Sequence, residues 1–167
     1  MEDKTFKAIQ FRPDGRQYLA DHMGMFFFTM GIFCLAGYDD LVQGHLRTAL
    51  LVVGFILVIY QLWLYLYVKR TRYTVGNEQI IHEYGVLTTQ RNYIELYRVV
   101  DYEETQSFMQ LLLGIKTVTI YSGDRTCPKL DMVGVGENAS LIWQIRERVE
   151  YNKLKRNIHE FTNTKQQ

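Results

Sequence analysis

The stretch from Thr48 to Val68, TALLVVGFILVIYQLWLYLYV, runs for 21 residues with no charge and a single amide, Gln61. A helix rises about 1.5 Å per residue, so about 20 such residues cross a hydrocarbon layer of about 30 Å. Trp63, Tyr65 and Tyr67 gather at its end, where amphipathic rings favour the lipid–water interface, and Lys69-Arg70 follow at once. A buried helix of a soluble core rarely runs so long without a charge, and the stretch reads as a transmembrane helix. The mean hydropathy of −0.15 conceals this, because the apolar residues are concentrated between Met23 and Val68.

An earlier apolar run, Met23 to Tyr38, has only 16 residues. Extending it back to Tyr18 reaches a spanning length and places Asp21 and His22 at headgroup level, where ionisable groups are tolerated. A cleavable signal peptide is the competing reading. Against it, the preceding segment carries Glu2, Asp3 and Asp14 among its basic residues, and Cys34-Leu35-Ala36-Gly37 reverses the order of a lipoprotein signal. The favoured reading is a tight hairpin: an N-terminal segment 1–17, helices over 18–38 and 48–68, and a short external connection 39–47. Lys4, Lys7, Arg12 and Arg16 precede the pair and Lys69, Arg70 and Arg72 follow it, while the connection carries only Arg47 beside Asp39 and Asp40. Both termini are therefore expected in the cytoplasm, with the connection outside. Gly24, Gly31 and Gly37 would permit close approach of a helix.

After Arg70 the rhythm changes to short β-prone runs. Arg72–Val75, Gln79–Tyr84, Val86–Leu96, Arg98–Thr105, Lys116–Ser122 and Cys127–Val133 read as six strands separated by turn residues. Such a meander closes as a barrel or a sandwich. Between the fourth and fifth strands, Phe108-Met109-Gln110-Leu111-Leu112-Leu113 is an apolar cluster, expected to plug a corner of the barrel before Gly114 redirects the chain. Asn138 is a plausible N-cap for a closing helix in which Leu141, Ile145 and Val149 recur at helical spacing, with Ile142 and Trp143 nearby. Beyond Tyr151 the pattern turns polar and basic, with Leu154, Ile158 and Phe161 continuing, and residues from about Thr162 are expected to be disordered.

The order Tyr73-Thr74-Val75, Ile80-Ile81, Tyr84-Gly85-Val86-Leu87, Ile94-Glu95-Leu96 and Arg98-Val99 resembles a bacterial pleckstrin-homology (PH)-like domain. The strongest match is Thr105-Gln106-Ser107 followed by Leu111-Leu112-Leu113-Gly114-Ile115 and an alternating strand to Gly123. The resemblance is to the membrane-anchored group in which two transmembrane helices precede the domain, placed here at 71–150 with a helix extension and polar tail at 151–167, and it implies the inner membrane of a bacterium. It implies a partly open barrel of seven strands, against six counted from the residues, capped by a C-terminal helix. It implies no catalytic activity and no cofactor. Relatives often carry an arginine just before the LLG turn, where this chain has Gln110.

The residues offer little chemistry. Asp101, Glu103 and Glu104 are the densest carboxylates, and on a strand Glu104 faces away from the other two, as on a solvated surface. His22, His45, His82 and His159 lack metal-ligand spacing, Cys34 and Cys127 lie too far apart for a disulfide framework, and Gly134-Val135-Gly136 reads as a turn. No catalytic, cofactor or metal site is expected. A net charge of +1 argues against nucleic acid, and the acidic turn Gly76-Asn77-Glu78-Gln79 argues against specific phosphoinositide binding. Lys69, Arg70 and Arg72, with Lys153, Lys155 and Arg156, are candidate contacts to an anionic membrane surface. Tyr93, Tyr97, Tyr102 and Tyr121 are candidate contacts to a protein partner or a second copy. The expected role is a non-enzymatic membrane-anchored module that binds or scaffolds a protein. The alternatives are a lipid or envelope-stress sensor, and a small structural subunit of an envelope transport or secretion complex.

Overall fold

Ile9 and Phe11 flank Gln10 in an alternation just long enough to add a strand to a sheet. In the structure, a computed structural model that describes residues 5–38 and 43–156, they form strand β1 (Ile9–Phe11). The chain then leaves the sheet through helices α1 (Arg16–Ala36) and α2 (His45–Arg70). It returns in β2 (Arg72–Val75), which pairs antiparallel with β1 through Ile9 opposite Val75 and Phe11 opposite Tyr73. The helical hairpin is thus inserted between two adjacent strands. β3 (Gln79–Tyr84) and β4 (Gln90–Glu95) complete a four-stranded sheet in the order β1-β2-β3-β4.

A single 3-10 turn, Leu96–Arg98, ends that ladder and starts a second. β5 (Val99–Thr105), β6 (Ile115–Ser122) and β7 (Lys129–Gly136) form a three-stranded antiparallel sheet, with helix α3 (Phe108–Leu113) between β5 and β6. Helix α4 (Leu141–Lys155) closes the fold. The described residues form two separate ladders and no closed barrel, because the 3-10 turn carries the chain from one sheet to the other instead of continuing the pairing. The strand count of seven is reached through β1, upstream of the hairpin.

Apolar alternation puts one face of each sheet inward. Tyr73, Val75, Ile80 and Ile94 meet Val118, Ile120, Leu130 and Met132 in one core, which Leu141, Ile145 and Val149 of α4 cover. Burying each such side chain contributes about 1.5–3 kcal/mol, so the stripe on α4 is what holds the helix in place. The helix begins later than expected, with Ser140 rather than Asn138 at its N-cap, because residues 136–139 form a turn in which the Ala139 amide donates to the Gly136 carbonyl. Gly134-Val135-Gly136 is likewise not a turn but the end of β7, where a shift in register between Lys116 and Val118 absorbs Gly134 in a left-handed conformation. The strand expected from Val86 starts only at Gln90, since Gly85–Thr89 is spent on the reversal.

The apolar cluster after β5 is not a core plug. It forms α3, capped by a reciprocal pair in which the Gln110 amide donates to the Ser107 hydroxyl and the Ser107 amide to Gln110 Oε1, and it ends at Gly114 in the left-handed conformation. Phe108, Leu111 and Leu112 are 78, 58 and 72 % exposed, and the residue buried is Gln110.

The two long helices pack on each other along their length. A Cβ on Gly54 would lie 2.8 Å from the Phe33 ring, so this glycine lets the helices approach, whereas Gly24 and Gly31 face open space. Gln61 donates to the Met25 carbonyl at 3.3 Å and to the Thr29 hydroxyl at 2.5 Å, joining the helices across otherwise apolar faces. Their outer faces, including Phe26, Phe27, Phe28, Phe55, Ile56 and Ile59, are exposed. Both cysteines are free, Cys34 exposed on α1 and Cys127 buried. The expectations for Lys4, for 39–42, for His159, Ile158 and Phe161, and for the tail from Thr162 lie outside the described residues.

One polar side chain ties the ends of the domain together. Buried Arg148 of α4 donates to the carbonyls of Val75 at 2.7 Å, Gly76 at 3.0 Å and Lys7 at 2.7 Å, and its guanidinium lies 5.3 Å from the Phe6 ring centre. Burial holds its pKa below the usual arginine range. Replacing Arg148 by Met removes every donor while keeping the stem volume, and is expected to destabilise the domain by about 3 kcal/mol, because buried carbonyls lose their partners. Chemical denaturation of wild type and Arg148→Met, followed by circular dichroism, measures this.

Candidate functional site

The junction between the helical hairpin and the sheets holds two buried amide side chains that bond across elements. Gln17, in the first turn of α1, and Gln110 of α3 are both nearly inaccessible. Gln110 Nε2 donates to Gln17 Oε1 at 2.9 Å and to the Thr117 hydroxyl at 2.8 Å, so the amide links α1, α3 and β6. Gln17 in turn donates to Asp21 at 2.8 Å, and Arg16 donates to the Leu113 carbonyl at 3.1 Å. This is the position where relatives were expected to carry an arginine. A neutral amide here satisfies both neighbours without burying a charge, which would cost several kcal/mol.

On the other side of the hairpin, Arg70 donates to the Val86 carbonyl at 3.0 Å, and the Tyr67 ring meets that of Tyr84. Behind these contacts lies a cavity of about 330 Å³ lined by Asp21, His22, Leu64, Tyr73, His82 and Val133, among others. His82 is stacked between Tyr73 and Tyr84, each at 4.7 Å. Burial pushes the His82 pKa down and that of Tyr73 up to about 12, and the Tyr73 hydroxyl donates to the Asp131 carbonyl at 2.9 Å. The His82 and Tyr73 rings are neutral at physiological pH and most of the lining is apolar, so the cavity suits an apolar occupant better than a phosphate. The β7 backbone closes this side: Gly134 passes so near the loop before α1 that a Cβ would lie 2.9 Å from the Asp14 amide, which itself donates to the Gly134 carbonyl.

The two basic clusters are separated. Lys69 and Arg70 end α2 and Arg72 opens β2, and the Lys69 ammonium lies 5.6 Å from the Tyr65 ring centre. Lys155 pairs with Glu78 at 3.7 Å, and Arg156 stacks 4.0 Å from the Tyr97 ring centre. Asn152 donates to the Asn77 carbonyl, so the end of α4 sits at the β2–β3 turn, the end of β2 away from α2.

The four tyrosines do not share a face. Tyr102 lies opposite Ile120 and packs against the core, while Tyr121, on the other face of the same ribbon, donates to Glu103 at 2.6 Å. That bond raises the Tyr121 pKa. Tyr93 is on the outer face of the other sheet, opposite Ile81, and Tyr97 is in the 3-10 turn. The nearby carboxylates are occupied: Glu104 by Lys116 at 2.9 Å and Asp101 by the Tyr102 amide at 2.8 Å. Among the described residues no group of three or more His, Cys, Asp or Glu side chains could hold a metal ion.

The residue that sequence reasoning passed over is Trp143. It stands near the buried stripe of α4 in sequence, yet it is 70 % exposed and lines a shallow groove with Arg146, Glu147 and Glu150. The signal was available: at helical spacing, position 143 falls about 160–200° from Leu141 and Ile145, on the opposite face.

The family model of the bacterial PH domain matches residues 26–149 of the 167, so the match takes in most of the hairpin as well as the sheets and α4. The chain belongs to that family. No curated protein and no solved structure matches it.

The His82 stack carries a pH dependence. Its folded pKa lies below the unfolded value of about 6.5, so the stabilisation of the neutral ring is complete above that pH and is lost as the pH falls through the folded value. Melting temperatures of wild type and His82→Phe between pH 7.5 and 5 should diverge accordingly, with the wild type losing more stability on acidification.

Proposed function

We propose that this bacterial PH-domain protein is a non-enzymatic module anchored in the inner membrane, which presents the exposed face of α4 to a protein partner in the cytoplasm. Two helices long and apolar enough to cross a membrane have outward faces that no described residue covers, and so large an apolar surface supports burial in lipid. β1 pairs with β2, so the segments entering and leaving the hairpin meet on the same side, as two spans require. The excess of Lys and Arg in those segments favours the cytoplasmic side. In this reading Lys69, Arg70 and Arg72 lie at the lipid headgroups, while Lys153, Lys155 and Arg156, at the far end of β2, lie on the partner side.

The observation that carries the partner assignment is Trp143. An exposed tryptophan beside an arginine and two glutamates, on a helix whose other face is anchored in the core, has the composition of an interface hot spot. Tyr93 and Tyr121 on the outer sheet faces are secondary contacts. A second reading, a lipid sensor, is favoured by the cavity of about 330 Å³ between the hairpin and the sheets, whose mostly apolar lining would take an acyl chain. The open faces at Gly24 and Gly31 would suit a third role, packing against helices of a larger envelope complex.

A photo-crosslinking amino acid placed at Trp143 in cells tests the main reading. A single adduct of defined mass is expected, absent when the crosslinker is placed at Arg125; an adduct of twice the chain mass would make the partner a second copy. No adduct at position 143, with one enriched lipid retained by the purified protein, would replace the partner reading with the sensor.

A further inference from the structure

Four of the exposed apolar residues of the domain stand on two projections beside the hairpin. On α3, Phe108, Leu111 and Leu112 fall at spacings of three and four, so they share one face, and the buried Gln110 projects from the opposite side. Across the hairpin, Leu87 is 85 % exposed at the tip of the β3–β4 turn. A soluble domain gains nothing from showing four large apolar side chains on two separate projections.

Both projections are tied to the same end of the hairpin. α3 is bonded to the first turn of α1, through Gln110 to Gln17 and through Arg16 to the Leu113 carbonyl. The Leu87 turn is bonded to the last turn of α2, through Arg70 to the Val86 carbonyl. Helical rise sets their depth. Gln17 stands about 9 Å before Met23, where the uninterrupted apolar run of α1 begins, and Arg70 about 3 Å beyond Val68, where that of α2 ends. The headgroup layer is about 5–8 Å thick on each side of the hydrocarbon. The anchoring residues therefore lie at or near the headgroup level, within a side chain's length of the acyl region.

We propose that α3 and the Leu87 turn are interfacial lipid contacts. Phe108, Leu111, Leu112 and Leu87 enter the headgroup–acyl boundary on either side of the hairpin, and with the two spans they fix the tilt of the domain on the membrane. Arg16, Lys69 and Arg70, next to these projections, supply the positive charge that an anionic leaflet attracts. The inference rests on the reading of the hairpin as membrane-spanning but is independent of the partner assigned to α4. It also accounts for the neutral Gln110: the amide satisfies the inner side of α3 so that its whole outer face is free to be apolar.

The test uses the full chain in lipid nanodiscs containing anionic lipid. Cys34→Ala and Cys127→Ala remove the native thiols, and nitroxide labels are placed singly through Leu87→Cys, Phe108→Cys, Leu112→Cys, Val53→Cys and Glu78→Cys. Accessibility to oxygen, which concentrates in lipid, is compared with accessibility to a water-soluble nickel chelate. Val53, mid-span, should report hydrocarbon, and Glu78, at the far end of β2, should report water. The expected result is that positions 87, 108 and 112 are severalfold more protected from nickel than position 78 and remain accessible to oxygen. If these three behave as position 78 does while position 53 reports hydrocarbon, the lipid contact is wrong and the anchor stands. Protection from both reagents would mean that a protein surface or a second copy covers α3, and would also overturn the inference. If position 53 reports water, the anchor reading fails and the inference falls with it.

Discussion

The pairing of β1 with β2 is the constraint from which the rest of the architecture follows. These strands are neighbours in the sheet, yet α1 and α2 intervene between them, so the hairpin must leave the sheet and return to it within the width of two strands. That requirement brings the first turn of α1 and the last turn of α2 side by side against the domain. It also makes the domain and the hairpin difficult to move independently, since tilting one would strain a ladder and the hydrogen bonds of Gln17, Gln110, Arg16 and Arg70 together. A freely swinging domain on a flexible linker would need a stretch of Gly, Ser or Pro, and only Thr71 separates α2 from β2.

A rigid mounting gives the surface of the domain a fixed geography relative to the helices. The junction end carries α3, the Leu87 turn and the His82 cavity. The far end carries the β2–β3 turn, the end of α4 and the second basic cluster. Arg148 holds that far end together by binding carbonyls from β2, from the following turn and from the segment before β1, so one α4 side chain reports on the seating of three separate stretches. The polar residues of this fold thus do their work at seams, while the sheets are held by ordinary apolar burial.

The strands and the long helices were legible in the sequence because each is written in a local period. Two-residue alternation marks Tyr73 and Val75, Ile80, and Val118 and Ile120, and long uncharged runs mark the hairpin. The candidate sites were much less legible. The basic clusters at 69–72 and 153–156 look alike as sequence, and only the direction of β2 separates them by the length of the domain. Tyr102 and Tyr121 look equally available, but register turns one toward the core and the other outward. β1 was invisible because three residues carry too little periodicity to stand out from a loop, and it exists only because β2 offers an edge to pair with.

The sequence by itself determined the hairpin, the order of the β segments, the burial stripe of α4 and the family, since each depends on contacts or periods within a few turns of chain. The tertiary structure alone decided that the sheets stay two ladders rather than one barrel, that β1 joins across an insertion of about 60 residues, and that the apolar residues of α3 face outward. The physical reason is the same in each case. The outcome rests on pairing between groups far apart in the chain, and for α3 on hydrogen bonds such as Gln110 to Gln17, between residues 93 positions apart, and Arg16 to the Leu113 carbonyl. Hydrophobicity alone would have turned that helix the other way.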